Sequence, residues 1–206
     1  MVANPGRRAA LLDAAVECLG ADGARALTFR RVDAHAGLPT GTATNYFRSR
    51  ADLLLGVAER VFEQLAPDPQ RVAGLSAAAA GPDAAGAFAS YVAERLLADP
   101  AVGLALVELR LEAARDATVA AVVGPFLRAG LEADQAFAAG QGLPGGATAV
   151  ELQHYAVLGL VLDRLTVPLN PSRDPLRAAA SMARALVRDG DGAGSASGEH
   201  GPPARS

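Results

Sequence analysis

The 206 residues contain a single cysteine, Cys18, so no disulfide framework can form within the chain. With three histidines beside it, no multi-ligand zinc site of the Cys/His type is expected, and neither a metal nor an organic cofactor is expected. Aromatic residues amount to 4 %, with no Trp. Lysine is absent, and all 19 basic residues are Arg. No apolar run approaches the roughly 18 residues of a membrane helix. The early apolar stretch AALLDAAVECLG carries Asp13 and Glu17, which the core of a secretory signal would not. A cytoplasmic protein with no membrane partner is the default these absences leave. Sustained apolar/polar alternation is also missing, so no Asn-Gly or Asp-Gly pair is flanked as in a hairpin, which argues against strands.

Alanine fills the space, with 48 residues, and half the chain is hydrophobic. Ala, Leu, Glu and Arg are strong helix formers. Gly- and Pro-bearing stretches at 21–26, 36–42, 65–70, 79–86, 98–100, 140–147 and 168–175 separate the apolar runs. The predicted fold is all-α with about nine helices. A three-helix head at 1–50 precedes a larger helical body at 51–188, and a Gly/Ser/Pro-rich tail at 189–206, containing His200, is expected to be disordered. The formal net charge of −3 argues against nucleic acid until the chain is divided. Residues 1–50 hold seven Arg and four acids, while the remainder holds 12 Arg and 18 acids. A basic head therefore precedes an acidic body, and the acidic body discourages DNA from binding elsewhere.

Within the head, Asn4 can cap a helix over 5–20 with Pro5 in its first turn. Leu11, Ala14, Ala15 and Cys18 share one face, which makes Cys18 a small core residue rather than a reactive thiol. Thr28 can cap a second helix ending near Ala36, and Gly37 supplies a left-handed turn. A third helix follows at 40–46. Two short helices joined by a Gly turn make a helix-turn-helix. Gly41, Thr42, Thr44, Asn45 and Tyr46 present short polar groups that can approach phosphates and base edges. Asn45 can pair bidentately with an adenine edge, and Thr42 and Thr44 can bond phosphate or touch a thymine methyl. Thr28, Arg30 and Arg31 start the second helix, and Arg48 and Arg50 start the fourth, at 51–65. Helix N-termini favour phosphate. A solvated polar turn is the bland alternative.

The segment 7–57 resembles the DNA-binding head of TetR-type transcriptional regulators. The resemblance rests on the Ala-Ala pair of the first helix, Ala21, Gly23 and Thr28, Ala36-Gly37, Gly41-Thr42, Phe47, Ser49-Arg50 and Leu53, in that order and spacing. It implies phosphate contacts by Thr28 and Tyr46. It also implies major-groove positions for Thr42, Thr44 and Asn45, a phosphate clamp at Arg50 where Lys is common, and an anchoring role for Phe47. Two positions depart from the pattern. Thr44 stands where Tyr is frequent. Pro39 stands where a capping Ser is common, so that either Thr40 takes over the cap or Pro39 starts the helix.

The fourth helix carries an apolar stripe of Leu54, Val57, Ala58, Val61 and Leu65 and links head to body. In the body, 100–113 is apolar on two faces, as a central bundle helix must be. Arg110 lies alone on one flank, either salt-bridged or lining a cavity with Leu106. The same choice applies to Tyr91 and Arg95, and to His154 and Asp163. Residues 147–166 are apolar nearly all round, and 175–188 form a helix capped by Asp174. The resemblance implies that these last two helices pair with a second copy, and Leu152, Ala156, Gly159, Leu176, Ala180, Ala183 and Val187 are the candidate contacts. Two helix-turn-helices about 34–36 Å apart would read a palindrome.

The functional expectation is a homodimeric DNA-binding regulator, a repressor released from its operator by a small, largely apolar effector. The sign is a family expectation. The rivals are a regulator without an effector, which a body lacking a ligand-sized cavity would favour, and a helical enzyme. The enzyme would require titratable groups converging in a cavity.

Overall fold

The chain enters its first helix through Asn4, whose side-chain carbonyl accepts the Arg7 N–H at 3.2 Å, with Pro5 in the first turn. The computed structural model describes residues 4–193, with side chains to 188. Among these residues there are nine α-helices, two 3-10 turns and no strand. The helices are α1 (Pro5–Asp22), α2 (Phe29–His35), α3 (Arg50–Gln64), α4 (Pro69–Ala78), α5 (Gly81–Ala98), α6 (Pro100–Ala113), α7 (Ala117–Gly140), α8 (Gly146–Leu165) and α9 (Pro175–Ala193). Their starts follow local chemistry. Thr28, Ser49, Asp68, Asp99, Asp116 and Asp174 each accept a backbone N–H of the helix that follows, meeting donors that the helix itself leaves free. Bonds from the Arg177 and Leu176 amides hold the Asp174 carboxyl below its ordinary range.

One apolar core runs from the head into the body. Leu11, Leu19, Val32, Phe47, Leu53 and Val57 pack in the same cluster as Val102, Ala105, Leu109, Val119 and Val123. Cys18 is 1 % exposed within it, and burial raises its thiol pKa. Helix α6 therefore lies directly on α1. A methyl group at Gly20 would sit 2.2 Å from the Ala101 carbonyl oxygen, so only glycine admits that approach. Asp13 fixes α3 on α1 by accepting from Arg60 Nε at 2.7 Å and Gln64 Nε2 at 3.0 Å. A second cluster joins α5, α8 and α9 through Ala89, Ala93, Val157, Val161, Ala179 and Ala183.

Two expectations change. The third helix of the head is not an α-helix over 40–46 but a 3-10 turn at Ala43–Asn45. Its own side chains compete for the backbone. Thr42 Oγ1 donates to the Pro39 carbonyl, and Thr44 Oγ1 and Asn45 Nδ2 both donate to that of Gly41. The last helix runs on to Ala193, into the stretch expected to be disordered. Extending an anchored helix requires only one residue to be fixed per added bond. Residues 194–206, His200 included, lie outside the described residues.

Candidate nucleic-acid interface

The head presents its polar residues from three short pieces. Thr28, Arg30 and Arg31 lie at the start of α2 and are exposed. Gly37, with φ +64°, turns the chain out of α2 toward residues 40–46. There Thr40, Thr44 and Asn45 are exposed and Thr42 is half-buried. Tyr46 packs half-buried against the head core and Phe47 is fully inside it, so the ring of Phe47 pins the end of the turn. Arg8 covers the Phe47 ring with its guanidinium at 5.6 Å. Arg48 and Arg50 follow at the start of α3, both exposed. Ser49 and Asp52 close that end: Ser49 Oγ accepts the Asp52 N–H, and Asp52 Oδ2 accepts the Arg48 N–H at 2.8 Å.

Not all these groups are idle. Arg31 is paired with Asp22. The Thr28 hydroxyl is engaged as a cap. Arg50 donates to the Ala24 carbonyl at 2.8 Å and lies 3.4 Å from the Glu112 carboxylate of α6. Glu108, one turn earlier on α6, accepts the Ala24 N–H at 3.3 Å. These two glutamates join the body to the head, a role that the sequence pattern, which places them only on a shared flank, does not reveal. Asp33, absent from the sequence-based set, also meets the turn. It is 1 % exposed, and its two oxygens accept the N–H groups of Gly41 and Ala43, each at 2.7 Å.

If Arg50 leaves Glu112 for a phosphate in the complex, Arg50→Ala lowers the slope of log K against log salt by up to about 0.9 for each phosphate it no longer neutralises. Titrations of one duplex at several salt concentrations measure this, and an unchanged slope removes Arg50 from the phosphate-binding set.

The six candidate pocket residues do not converge. Tyr91 is buried with its hydroxyl accepting the Asp68 N–H at 2.7 Å, and Arg95 stacks over its ring at 5.2 Å. Leu106 is a core residue, 7 % exposed. Arg110 stands exposed at the rim of an open cleft of about 280 Å³ between α6 and α7, opposite Arg128. His154 pairs with Asp134 at 2.9 Å. Asp163 accepts the Leu169 N–H at 2.8 Å beside a second open cleft of about 290 Å³. Helical spacing shows which residues share a flank but not what lies opposite: Tyr91 and Arg95 meet each other, and the remaining four have separate neighbours.

The candidate interface with a second copy divides by helix. On α8, Leu152 is 44 % exposed, and Gly159 is exposed as well. Ala156 lines the second cleft with Gly159 and Met182. A methyl group at Gly159 would meet no other atom of the chain within 4 Å. On α9, Ala180, Ala183 and Val187 are buried inside the chain, so these three belong to the intrachain core, while Leu176 is half-buried against the cluster that holds Ala183. Alanines at 178, 179, 180, 183 and 185 make α9 apolar over a wide arc, so its pattern does not reveal which part faces its own chain. Met182, half-buried, lines the second cleft together with α8.

Two family models match the chain. Residues 11–64 match the tetR family of bacterial regulatory proteins, and residues 80–189 match the tetracyclin repressor-like C-terminal domain. No curated protein matches. Among solved structures, a transcriptional regulator from Rhodococcus sp. Rha1 is similar in fold, with TM-score 0.72, 17 % identity, and 89 % of this chain and 96 % of that chain covered. A member of the TetR family from Streptomyces coelicolor A3 gives TM-score 0.65, 26 % identity and coverage of 89 % and 99 %. The multidrug binding protein EbrR, solved with imidazole, gives 0.63, 26 % and coverage of 89 % and 96 %; that protein has also been solved with proflavin and with ethidium. With its head and its body matched in chain order, the chain belongs to the tetR family of bacterial transcriptional regulators.

Proposed function

We propose that the protein acts as a cytoplasmic homodimer that binds a palindromic double-stranded operator and represses transcription from it. The observation that carries this reading is the head itself. A polar turn, Thr40 to Tyr46, is anchored by Phe47 and flanked by helix starts bearing Arg30, Arg48 and Arg50. In this reading Thr42, Thr44 and Asn45 address base edges, while Thr28, Tyr46 and the arginines address phosphates. Residues 1–50 serve as the DNA-binding domain and 51–188 as the domain for dimerisation and control. Dimerisation is supported by α8, whose outward face carries Leu152, Tyr155, Gly159 and Leu162.

Control by a small, largely apolar effector is supported by the likeness to EbrR. Such an effector must prefer the state whose heads are wrongly spaced, since equal affinity for both states moves nothing. One observation favours the second reading, a regulator without an effector. The two clefts, about 280 and 290 Å³, are open, whereas ligand pockets usually enclose about 300–1,000 Å³. Selection of bound fragments from genomic DNA tests the function. Enrichment of one short inverted repeat supports it, and recovery of fragments without a common sequence overturns it.

A further inference from the structure

We infer that Asp33 is the residue that positions the 40–46 turn for base contact, replacing from α2 the cap that Pro39 cannot supply. The inference rests on the DNA-binding reading. Pro39 opens the turn, since its carbonyl accepts the Thr42 N–H at 3.1 Å, and Thr42, from which the 3-10 helix starts, makes no side-chain capping bond to it. A cap residue ordinarily also offers a side-chain oxygen to the N–H two or three residues on. Proline has none to offer. The N–H two residues on is that of Gly41, and it goes to Asp33 Oδ2 at 2.7 Å.

Ala43 N–H goes to the other oxygen at the same distance. The two bonds grip the backbone on either side of Thr42. The Asp33 main-chain carbonyl also accepts the Leu38 N–H at 2.8 Å, so one residue holds the turn at two points and the segment leading into it at a third. Three residues of 3-10 helix have too few bonds to hold themselves. The hydroxyls and amide of Thr42, Thr44 and Asn45 bond only within the turn, so they cannot orient it on the head. Asp33 is the single buried charged side chain among the described residues. A carboxylate is costly to bury unless its oxygens are well bonded, and both are met here by short charge-assisted bonds.

The test compares Asp33→Ala, Asp33→Asn and the double variant Asp33→Ala/Pro39→Ser in the full chain. Each is titrated with a selected inverted-repeat duplex and with a scrambled duplex of equal length, at several salt concentrations. Asp33→Ala is expected to lower affinity for the selected duplex roughly 10- to 100-fold, with the scrambled duplex and the salt slope unchanged. Asn keeps one acceptor and should fall between. The serine hydroxyl introduced by Pro39→Ser can take the Gly41 N–H and should restore part of the discrimination. Circular dichroism shows which variants are folded. If Asp33→Ala does not fold, the Asn variant decides: reduced discrimination supports the inference and full discrimination overturns it. Equal loss on both duplexes, or no recovery in the double variant, also overturns it. A wild-type protein that fails to prefer any duplex refutes the DNA-binding reading instead.

Discussion

Replacing Tyr155 and Leu162 together by glutamate is expected to leave the chain monomeric and to weaken its binding to an inverted repeat by about 10²–10⁴-fold. Both side chains are on the outward face of α8, at 60 % and 44 % exposure. Within one chain Tyr155 buries little and Leu162 about half its surface, so the monomer should keep its helical content, with stability changed by about 0.5 kcal/mol at Tyr155 and about 1 kcal/mol at Leu162. In a dimer the same side chains meet a second copy across a face that also holds Gly159, and four new carboxylates there would be desolvated without partners. The large loss on DNA follows from linkage: with one head bound, the second binds at an effective concentration set by its tether. Sedimentation gives the mass and a duplex titration gives the affinity. A variant that stays dimeric shows that another surface joins the copies.

Phe47→Ala is expected to cost about 3–5 kcal/mol and to lower the melting temperature by roughly 6–20 °C. The ring is 2 % exposed and lies under the Arg8 guanidinium. A methyl group at Gly56 would stand 3.3 Å from its edge, so α3 closes tightly over it and leaves a cavity when it is gone. Because one core joins the head to α6 and α7, the variant should still melt in a single transition, followed equally by far-ultraviolet dichroism and by calorimetry. Separate melting of head and body would contradict the shared core.

The parts of the fold legible in the sequence are those fixed by local chemistry. Asn4, Thr28 and Asp174 read as caps because a short oxygen-bearing side chain before a helical run has one main use, and each accepts the expected N–H. Gly37 reads as a left-handed turn for a similar reason. What is not legible needs a partner from elsewhere. Thr42, Thr44 and Asn45 look helical by position, yet their bonds to nearby carbonyls shorten the helix to a 3-10 turn. Asp33 looks like a solvated acid in a basic head. Its use emerges only when α2 and the turn are seen together, although the missing hydroxyl at Pro39 is a hint. Arg110, His154 and Asp163 can be assigned to flanks but not to neighbours, and α9 can be seen to be apolar but not which side is already covered.

The claim that this head reads sequence is tested most directly by equilibrium titration of the full-length protein, and of its Asn45→Ala variant, with a selected inverted-repeat duplex and a scrambled one at the same salt concentration. Two chains should bind each repeat, about 10³-fold or more tighter than the scrambled duplex. Asn45→Ala should lose about 1–3 kcal/mol of discrimination at one base position. Equal affinity of the wild-type protein for the two duplexes would contradict it.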